Sequence, residues 1–589
     1  MKLSDYVIDV IVKEGVSHIY EMIGGAIAHL LDSASVRDDI ECVSVHHEQA
    51  AAFAAEGYAR INGRLGVAMA TSGPGALNMV TGIGSCFFDS VPCLFITGQV
   101  NTYEYKFDRP VRQIGFQETD IVSIVKPITK YAYLVTDASE IRYQLEKAIY
   151  LAQSGRPGPV LLDIPMNIQR QHIEPEKLES FYDSDEFRAM QAVYSDRSDE
   201  VVELISKAER PVILVGGGVR GAGATEELVQ FVSKTGIPVV NSLMGIDAIA
   251  HSHESYFGLI GSYGNRYSNL ALANCDLLII LGSRLDTRQT GTRVDTFARA
   301  AHKVHVDIDN IELNAKVNVD LAIHSNVKDF LQQMNNKLNN LARPDLSAWY
   351  KTIESYKSKF PTKSSITTPD KIEPNSFVKY LSGMCSEGDA ICLDVGQHQM
   401  WASQSFEIKQ GQRLLNSGGM GAMGFALPAA IGSAKTGMTN NVIVIAGDGG
   451  IQVNIQELDI VAQHNLPIKI FILNNRNLGM VRTFQDLYFD GRQQSTVKGY
   501  NCPDLNAIAK AYGIPSFNIT SMEDAEEVCP KVMEMNGPAF VNVELEVNTV
   551  VDPKLVVNRP IEDMYPHLDR EQLKEIMLIE LVKEIDVPK

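Results

Sequence analysis

The sequence lacks several features that would assign it to a specialised class of protein. It has eight cysteines but no CxxC pair, and most of them lie in apolar surroundings, which indicates reduced core residues. No apolar run approaches the length of a transmembrane helix. The amino-terminal segment has acids interleaved with helically spaced apolar residues, a pattern typical of an amphipathic helix and not of a signal peptide. We therefore expect a cytoplasmic protein with no membrane partner.

Positive charge is also scarce. The 589 residues include 53 Lys and Arg against 72 Asp and Glu, a formal net charge of -19, which argues against nucleic acid or an anionic membrane as a partner. Any phosphate that the protein binds must be held by backbone amides and a metal ion. The chain is too long for a single core, and its length indicates about three or four domains.

The strongest chemical signal lies at a glycine-rich turn. The apolar run 442–446 has the length and β-branching of a buried strand, and helical spacing of apolar residues follows from 451 to 464. The turn between them consists of Gly447, Asp448, Gly449 and Gly450. Backbone N–H groups at a strand-to-helix turn favour phosphate.

A second buried strand, 468–473, ends at an asparagine pair. A right-handed crossover would make the two strands parallel, so that Asp448 and Asn475 lie at the same edge of the sheet. Mg2+ prefers hard oxygen ligands of this kind and often completes its shell with phosphate and water; the backbone oxygen of Asn477 could add another ligand. Taken singly, the glycine turn could be a hairpin-like turn and the asparagines a helix cap. Together they favour a metal-diphosphate site.

The sequence GDG at 447–449, followed by NN at 474–475, resembles the signature of thiamin diphosphate enzymes. The resemblance implies that Asp448, the Asn475 side chain and the Asn477 carbonyl hold Mg2+, and that the ion holds the cofactor's diphosphate. The neighbouring residues that match cofactor-binding positions of these enzymes are Gly447, Gly449, Gly450, Gly479 and Met480.

A carboxylate stands at another strand-to-helix junction, in the stretch HHEQAAAFAAEGYAR of residues 46–60. Glu48 could simply stabilise the N-terminus of its helix. The stretch also resembles the segment that carries the activating glutamate of thiamin diphosphate enzymes, which implies that Glu48 is catalytic and bonds N1′ of the aminopyrimidine ring. Glu56, on the same helix, is its rival, and we expect Glu56 to be a surface or capping residue.

Further motifs resemble the acetolactate synthase family, in the same order, over nearly the whole chain to about residue 550. They are the SGPG turn that contains Gly73, RQIGFQETDIV (112–122), GRPGPVLLDIP (155–165), ICLDVGQHQMWA (391–402) and NSGGMGAMGFALPAAIG (416–432). The resemblance implies cofactor contacts for Gly73, Gly396, Gln397, His398, Gly421 and Met423. Gly421 would offer its carbonyl to the 4′-amino group and Met423 would support the bent cofactor. His398 could instead cap a helix, and Met420 is expected to fill the core.

Several positions match or replace residues that line the reaction space in this family. Phe116 and Gln117 match such positions, and Gln117 is assigned a catalytic role, although Phe116 could equally pack in the core. Arg288 matches the substrate-channel arginine and could hold an acceptor carboxylate or phosphate, or could pair with Asp286. Phe484 stands where the family commonly has a Trp that favours 2-oxobutanoate.

Alternating strand and helix patterns predict an α/β protein built from three doubly wound parallel-sheet domains. The predicted parts are an N-terminal pyrimidine-binding domain (1–180), a middle Rossmann-like domain (195–335), a C-terminal diphosphate-binding domain (370–552) and a tail (553–589). The acidic segment 170–195 and the Pro/Ser/Lys-rich segment 335–375 are interpreted as connectors. The tail has helix-like spacing.

The middle domain carries segments closest to the FAD-binding branch of the family. Its glycine-rich turn at 216–218 could bind a nucleotide or serve close helix packing. The resemblance implies a structural, non-redox FAD, with contacts from Arg156, Gly216, Gly217 and Asp307.

The resemblance implies a carboligase that decarboxylates a 2-oxo acid, pyruvate, and transfers the two-carbon unit to a second small carbonyl compound, as in 2-acetolactate formation. In this family the glutamate and the metal site meet across a dimer interface, which implies a homodimer or homotetramer. This chain differs from the family in its tail and at positions where the acceptor is chosen. The differing residues at those positions are Met166, Ser262, Tyr263 and Phe484. Acetyl transfer to a nucleotide-linked keto sugar, simple 2-oxo acid decarboxylation and a noncatalytic cofactor-binding protein remain alternatives.

Overall fold

The computed structural model describes residues 1–190, 194–340, 343–365 and 371–582. Parts of the expected connectors and the end of the expected tail lie outside the described residues: 191–193, 341–342, 366–370 and 583–589. No helix in the described ranges is long and apolar enough to cross a bilayer.

Three six-stranded parallel sheets with flanking helices form the molecule and confirm the predicted fold class. The first sheet contains β1 (His18–Met22), β2 (Glu41–Ser44), β3 (Gly66–Ala70), β4 (Cys93–Gln99), β5 (Tyr131–Leu134) and β6 (Val160–Pro165). The second contains β7 (Pro211–Val215), β8 (Val239–Asn241), β9 (Tyr256–Leu259), β10 (Leu277–Leu281), β11 (His302–Asp307) and β12 (Leu321–His324). The third contains β13 (Ala390–Leu393), β14 (Arg413–Asn416), β15 (Val442–Gly447), β16 (Ile468–Asn474), β17 (Ser516–Ile519) and β18 (Ala539–Glu544). A short antiparallel pair, β19 (Lys554–Leu555) and β20 (Met564–Tyr565), follows.

Helices connect these strands and cover both faces of the sheets. Those of the first domain are α1 (Leu3–Lys13), α2 (Ala28–Ser35), α3 (Glu48–Asn62), α4 (Pro74–Asn78), α5 (Val80–Asp89), α6 (Ile121–Val125), α7 (Ile141–Gln153), α8 (Met166–Gln169) and α9 (Asp185–Ala189). Next come α10 (Ser198–Lys207), α11 (Gly217–Gly221), α12 (Thr225–Thr235), α13 (Arg266–Asn274), α14 (Thr287–Thr290), α15 (Val327–Lys337) and α16 (Ser347–Lys359). The remainder are α17 (Pro374–Met384), α18 (Gln397–Ser405), α19 (Ala426–Lys435), α20 (Asp448–Ile451), α21 (Leu458–Gln463), α22 (Gly479–Tyr488), α23 (Leu505–Ala511), α24 (Met522–Glu534) and α25 (Arg570–Ile576).

The first and third sheets share one strand order, and the second differs. Their orders are β2-β1-β3-β4-β6-β5 and β14-β13-β15-β16-β18-β17, whereas the second sheet runs β12-β11-β10-β7-β8-β9. The second order reverses between β7 and β10, as in dinucleotide-binding sheets. In all three sheets the loops at the carboxyl ends of the strands are the expected ligand side.

Two helices of small residues join the first and third sheets. α3 and α19 each follow the second strand of their own sheet. A Cβ atom added to Gly57 would overlap the backbone of Ala429, and one added to Gly432 would overlap the backbone of Ala54. Because only glycine permits so close an approach, this contact fixes the two domains against each other.

The segment expected to be a connector at 335–375 contains α16, which belongs to the middle domain. Trp349 is buried, and its Nε1 donates to the carbonyl of Pro211 at 3.1 Å, at the first strand of the middle sheet. Tyr356 donates its hydroxyl to the carbonyl of Ile576 at 2.7 Å. The described part of the tail therefore packs on the middle domain through α16.

A buried acid joins the middle and C-terminal domains. Asp247 is 3% exposed and accepts from Arg413 Nε at 2.8 Å and from the backbone N–H of Leu414 at 3.0 Å, while Arg220 lies 3.4 Å away. Burial alone would raise the pKa of Asp247, but the charges of the two arginines lower it to about 2. The carboxylate is therefore ionised throughout the physiological range.

We expect Asp247→Asn to destabilise the protein by about 3 kcal/mol, because it leaves two partly buried arginines without their counter-charge. Urea unfolding at pH 7 measures the change, with the exposed Asp295→Asn as the matched control. Since the pKa is depressed in the folded state, the stabilisation is complete above the unfolded value of about 3.9 and disappears as the pH falls toward 2. Equal unfolding midpoints for the two variants at pH 7 would contradict this role.

Candidate active site

The carboxyl ends of β13, β15 and β16 meet at one edge of the third sheet and bring three polar side chains together. Asp448 begins α20 and is 1% exposed. The backbone N–H of Asn475, which follows β16, lies near its carboxylate and lowers its pKa. The Asn475 side-chain amide donates to Gln397 Oε1 at 2.7 Å, and Gln397 begins α18 after β13. Sheet topology thus brings together residues from three separate motifs.

Tyr500 completes the surroundings of the Asp448 carboxylate. Its hydroxyl donates to Asp448 Oδ2 at 2.5 Å. Burial raises the pKa of Asp448 to about 6, an effect opposed by this hydrogen bond. A tyrosine that engages one oxygen leaves the other for a ligand and fixes its direction. The sequence carries no motif at Tyr500, which lies in a loop more than fifty residues away.

Two buried polar atoms at this edge have no hydrogen-bond partner among the described residues: Asn477 Oδ1 and His398 Nε2. Burial lowers the pKa of His398 to about 3, so its ring is neutral. A Cβ atom added to Gly396 or Gly447 would lie within 2.6 or 2.8 Å of that ring. His398 is not the cap of its helix, a position that Gly396 holds. Buried unpaired polar atoms of this kind are consistent with a ligand that completes them.

The described residues contain no group of three or more His, Cys, Asp or Glu side chains that could hold a metal ion. Both oxygens of Asp394 at this edge accept backbone N–H groups. The edge therefore offers a ligand carboxylate from Asp448, with the oxygens of Asn475 and Asn477. This donor set suits Mg2+ only when phosphate and water supply the remaining ligands. The residues therefore fit a metal that binds together with a diphosphate.

The glycines of the two motifs allow their loops to pack closely. A Cβ atom added to Gly479 would overlap Gln397 Oε1, and one added to Gly450 would lie 2.5 Å from Asp394 Oδ1. One added to Gly449 would lie 3.6 Å from Met423 Cε. Met423 therefore lies close to the sheet edge that contains Asp448, Asn475 and Asn477, which is called the metal edge below.

The loop before α19 carries Gly421, whose φ is +67°, and Met423, which is 36% exposed. Both face open space next to the metal edge. Met420 is 41% exposed and lies against Gly84, so the expectation that it fills the core is wrong. Met480, in the first turn of α22, is partly buried against the C-terminal core.

Glu48 lies in the N-terminal domain as the first residue of α3 and is 7% exposed. Its Oε2 accepts from the Asn78 side chain at 2.9 Å, and in the described part of the chain Oε1 has no such partner. The next residue, Gln49, accepts from Asn454 of the C-terminal domain at 3.2 Å. The hydrogen bond of Glu48 therefore stays within its own domain, although α3 touches the other.

Glu56 is fully buried, so the expectation of a surface or capping residue is wrong. It bonds Arg60 at 3.3 Å and accepts from the thiol of Cys86. Burial raises its pKa to about 7. The physical reason is that α5 packs on this face of α3: Cys86 bonds Glu56, and a Cβ atom added to Gly82 would overlap Ala52.

The loop that contains Phe116 and Gln117 contacts the turn at Gly73. Phe116 is 86% exposed, which excludes the alternative that it packs in the core. Gln117 and Gly73 both have positive φ, 63° and 66°, and a Cβ atom added to Gly73 would lie 2.9 Å from the Gln117 carbonyl. Buried Glu118 orders the loop by accepting the N–H of Ile114 at 2.6 Å.

Arg288 lines a cleft between the middle and C-terminal domains. Asp286 pairs with Arg284 at 3.3 Å and accepts from Gln289 Nε2 at 2.9 Å. From Arg288 it accepts the backbone N–H and not the guanidinium, so the alternative of a salt bridge to Arg288 is wrong. Ser262 and Tyr263 line the same cleft. The guanidinium of Arg288 is exposed and available to an anionic ligand.

Phe484 lies on α22 and is 47% exposed. It contacts Tyr488, with ring centroids 4.7 Å apart, and Phe489, with centroids 5.6 Å apart. The three rings form an exposed aromatic surface on the C-terminal domain.

The segments expected to hold FAD converge on the cleft, whose cavity volume is about 40 Å³. The residues that these segments contribute to its lining are Leu243, Met244, Leu259, Ile260, Ser262, Tyr263, Arg284, Asp286, Arg288 and Gln289. The glycine turn, however, serves protein packing: a Cβ atom added to Gly216 would overlap Gly282, and one added to Gly217 would lie 3.1 Å from Met244 Cβ. Neighbouring backbone and side-chain atoms therefore occupy the space beside this turn.

Arg156 and Asp307, the other expected FAD contacts, bond within the protein. Arg156 bonds Glu312 at 2.7 Å and lies 3.3 Å from Asp309. Asp307 accepts the N–H of Asp309 at 2.9 Å, and burial raises its pKa to about 6. A nucleotide at this point would have to compete with these ion pairs.

Three family models match consecutive parts of the chain. They are the thiamine pyrophosphate enzyme N-terminal TPP binding domain at residues 1–124, the central domain at 198–334 and the C-terminal TPP binding domain at 394–543. Among similar proteins, acetolactate synthase 2, chloroplastic, of Nicotiana tabacum is 37% identical over 92% of this chain and 82% of its own length. The acetolactate synthase large subunit of Corynebacterium glutamicum is 38% identical over 89% of this chain and 83% of its own length.

We expect Asp448→Ala to weaken Mg2+-dependent binding of thiamin diphosphate by about 100-fold or more, because it removes the carboxylate proposed as a metal ligand. Titration calorimetry with and without Mg2+ measures the affinity. Glu527→Ala, which removes an exposed carboxylate from α24 of the same domain, is the control. An Asp448 variant with undiminished affinity would exclude it as a ligand.

Proposed function

The chain belongs to the acetolactate synthase family of thiamine pyrophosphate enzymes, and we propose that it decarboxylates pyruvate and joins the two-carbon unit to a second carbonyl compound, giving a 2-acetolactate-like product. The observation that carries this proposal is the edge of the third sheet. There the Asp448 carboxylate and the Asn475 amide lie together, beside a buried, unpaired nitrogen of His398.

In this proposal the C-terminal domain binds the charged end of the cofactor. Asp448, Asn475 and Asn477 hold Mg2+, and the backbone N–H groups of the turn 447–450 bind the diphosphate together with His398. When bound, thiamin diphosphate supplies the nucleophilic carbon and the electron sink that decarboxylation requires. The protein's task is to orient the cofactor, exclude water and hold one proton.

The proton is held by Glu48 at ring nitrogen N1′. This residue belongs to the N-terminal domain, whereas the metal edge belongs to the C-terminal domain, and apolar side chains remain exposed around both. These side chains are Leu77 at 43%, Phe88 at 39%, Ile114 at 43%, Val453 at 43% and Val481 at 53% exposed. Such surfaces support an active site formed between two copies, in a homodimer or a dimer of dimers.

The acceptor is bound near Arg288 and Phe484. Arg288 binds its carboxylate or phosphate, because Asp286 is already neutralised by Arg284. Gln117 and Phe116 close the reaction space from the N-terminal domain. FAD, where present, occupies the cleft of the middle domain as a structural, non-redox group, and we place the enzyme in the cytoplasm.

A keto sugar linked to a nucleotide is the second candidate acceptor. The exposed rings of Phe484, Tyr488 and Phe489 offer faces on which a base could stack. Arg288 offers a cation for phosphate. This combination is the observation that favours the alternative over a small 2-oxo acid.

Incubation of the protein with labelled pyruvate, thiamin diphosphate and Mg2+ tests the function. Release of labelled carbon dioxide and label in a branched hydroxyketone support a carboligase. Parallel reactions with 2-oxo acids and with nucleotide-linked keto sugars identify the acceptor. A free aldehyde as the sole product would indicate a decarboxylase, and no carbon dioxide at all would refute the proposal.

We expect Glu48→Gln to leave thiamin diphosphate bound but to slow carbon dioxide release about 100-fold or more, because an amide cannot exchange the proton at N1′. Calorimetry measures binding and a pyruvate assay measures turnover. Glu176→Gln, at an exposed position of the same domain, is the control. Unchanged turnover in the Glu48 variant would remove this residue from its role.

A further inference from the structure

The loop that carries Gly421 and Met423 is held by an acid from another domain. Asp89 is the last residue of α5 in the N-terminal domain. Its Oδ2 accepts the backbone N–H of Gly418 at 3.0 Å, and its Oδ1 accepts that of Gly419 at 2.7 Å. Two charge-assisted bonds to successive amides fix both position and direction. The start of the loop therefore cannot move without breaking this pair.

The same part of the loop is closely enclosed. A Cβ atom added to Gly418 would overlap the Met244 sulfur, and one added to Gly419 would lie 2.8 Å from Phe88 Cβ. Only glycine fits between the N-terminal and middle domains here. This close packing gives the Asp89 carboxylate direct access to both amides.

A second acid holds the far end of the loop. Asp394, which follows β13, accepts the N–H of Gly424 at 3.0 Å and of Ala426 at 3.1 Å. Between the two anchored ends the N–H of Ala422 donates to Ser417 Oγ at 3.2 Å, whereas a Cβ atom added to Gly421 would meet only Val395, at 4.0 Å. The two carboxylates therefore fix the ends of the segment that carries Gly421 and Met423.

We propose that Asp89 is a positioning residue that fixes, from the N-terminal domain, the loop whose Gly421 and Met423 support the bound cofactor. It does so without touching the cofactor, and the inference rests on the proposed cofactor site. Arg60 and Arg284 lie near its carboxylate; their charges and the two amides oppose the rise in pKa that burial causes. The loop of each active site is thus tied to the domain that carries Glu48 in the same chain.

Asp89→Ala removes both hydrogen bonds, and Asp89→Asn keeps one acceptor oxygen. Glu56→Gln is the matched control, because Glu56 is also buried beside Arg60 but bonds neither Gly418 nor Gly419. Amide hydrogen exchange of the peptide 417–423, in protein without cofactor, measures directly how strongly Asp89 restrains the loop. Calorimetry with Mg2+ and thiamin diphosphate measures its consequence for binding.

We expect exchange in this peptide to rise at least about 10-fold and cofactor affinity to fall about 10-fold in Asp89→Asn, and both to change further in Asp89→Ala. Exchange in peptides away from the loop should stay near wild type. Glu56→Gln should change neither. Wild-type exchange in both Asp89 variants, or equal changes in Glu56→Gln, would overturn the proposal. If Asp89→Ala does not fold, the exchange and calorimetry results for Asp89→Asn test the proposal. If wild-type protein binds no thiamin diphosphate, the proposed function fails, while exchange still decides whether Asp89 holds the loop.

Discussion

The contact between α3 and α19 is the constraint on which the candidate site depends. Gly57 and Gly432 let the two helices approach at backbone distance, and each helix begins directly after a loop with a chemical role. Glu48 opens α3, and the loop with Gly421 and Met423 leads into α19. A wider separation of the helices would displace both loops at once, and it would also break the bonds of Asp89 to Gly418 and Gly419 across the same boundary.

Scarcity of positive charge determines how such a protein can bind a diphosphate. The chain has a net charge of -19, and the edge of the third sheet offers Asp448, amides and a neutral histidine rather than lysines. Burial already raises the pKa of Asp448 to about 6, which shows how costly an unpaired charge is there. A divalent cation resolves this conflict, because it neutralises the carboxylate and the phosphates together.

The sequence predicts those parts of the fold that local patterning determines. Buried parallel strands are continuous apolar runs, and the strands expected at 442–446 and 468–473 are observed as Val442–Gly447 and Ile468–Asn474. α16 was missed because its buried residues are few and stand among lysines and serines. Glu56 was misjudged because the pattern of a helix does not reveal that a second helix covers its polar face. Local sequence thus predicts the elements but not what packs against them.

The same limit applies to the candidate site. Motifs indicate Asp448, Asn475 and Glu48, because each motif is a short segment whose chemistry is local. Their orientation depends on residues to which the motifs assign no role: Tyr500 bonds Asp448 across 52 positions, and Asp89 bonds Gly418 across 329. Geometry tight enough for catalysis requires such supports, since a misplacement of about 1 Å can cost about 100-fold in rate. A chain could therefore keep every cofactor motif and still lose activity through the residues that hold those motifs in place.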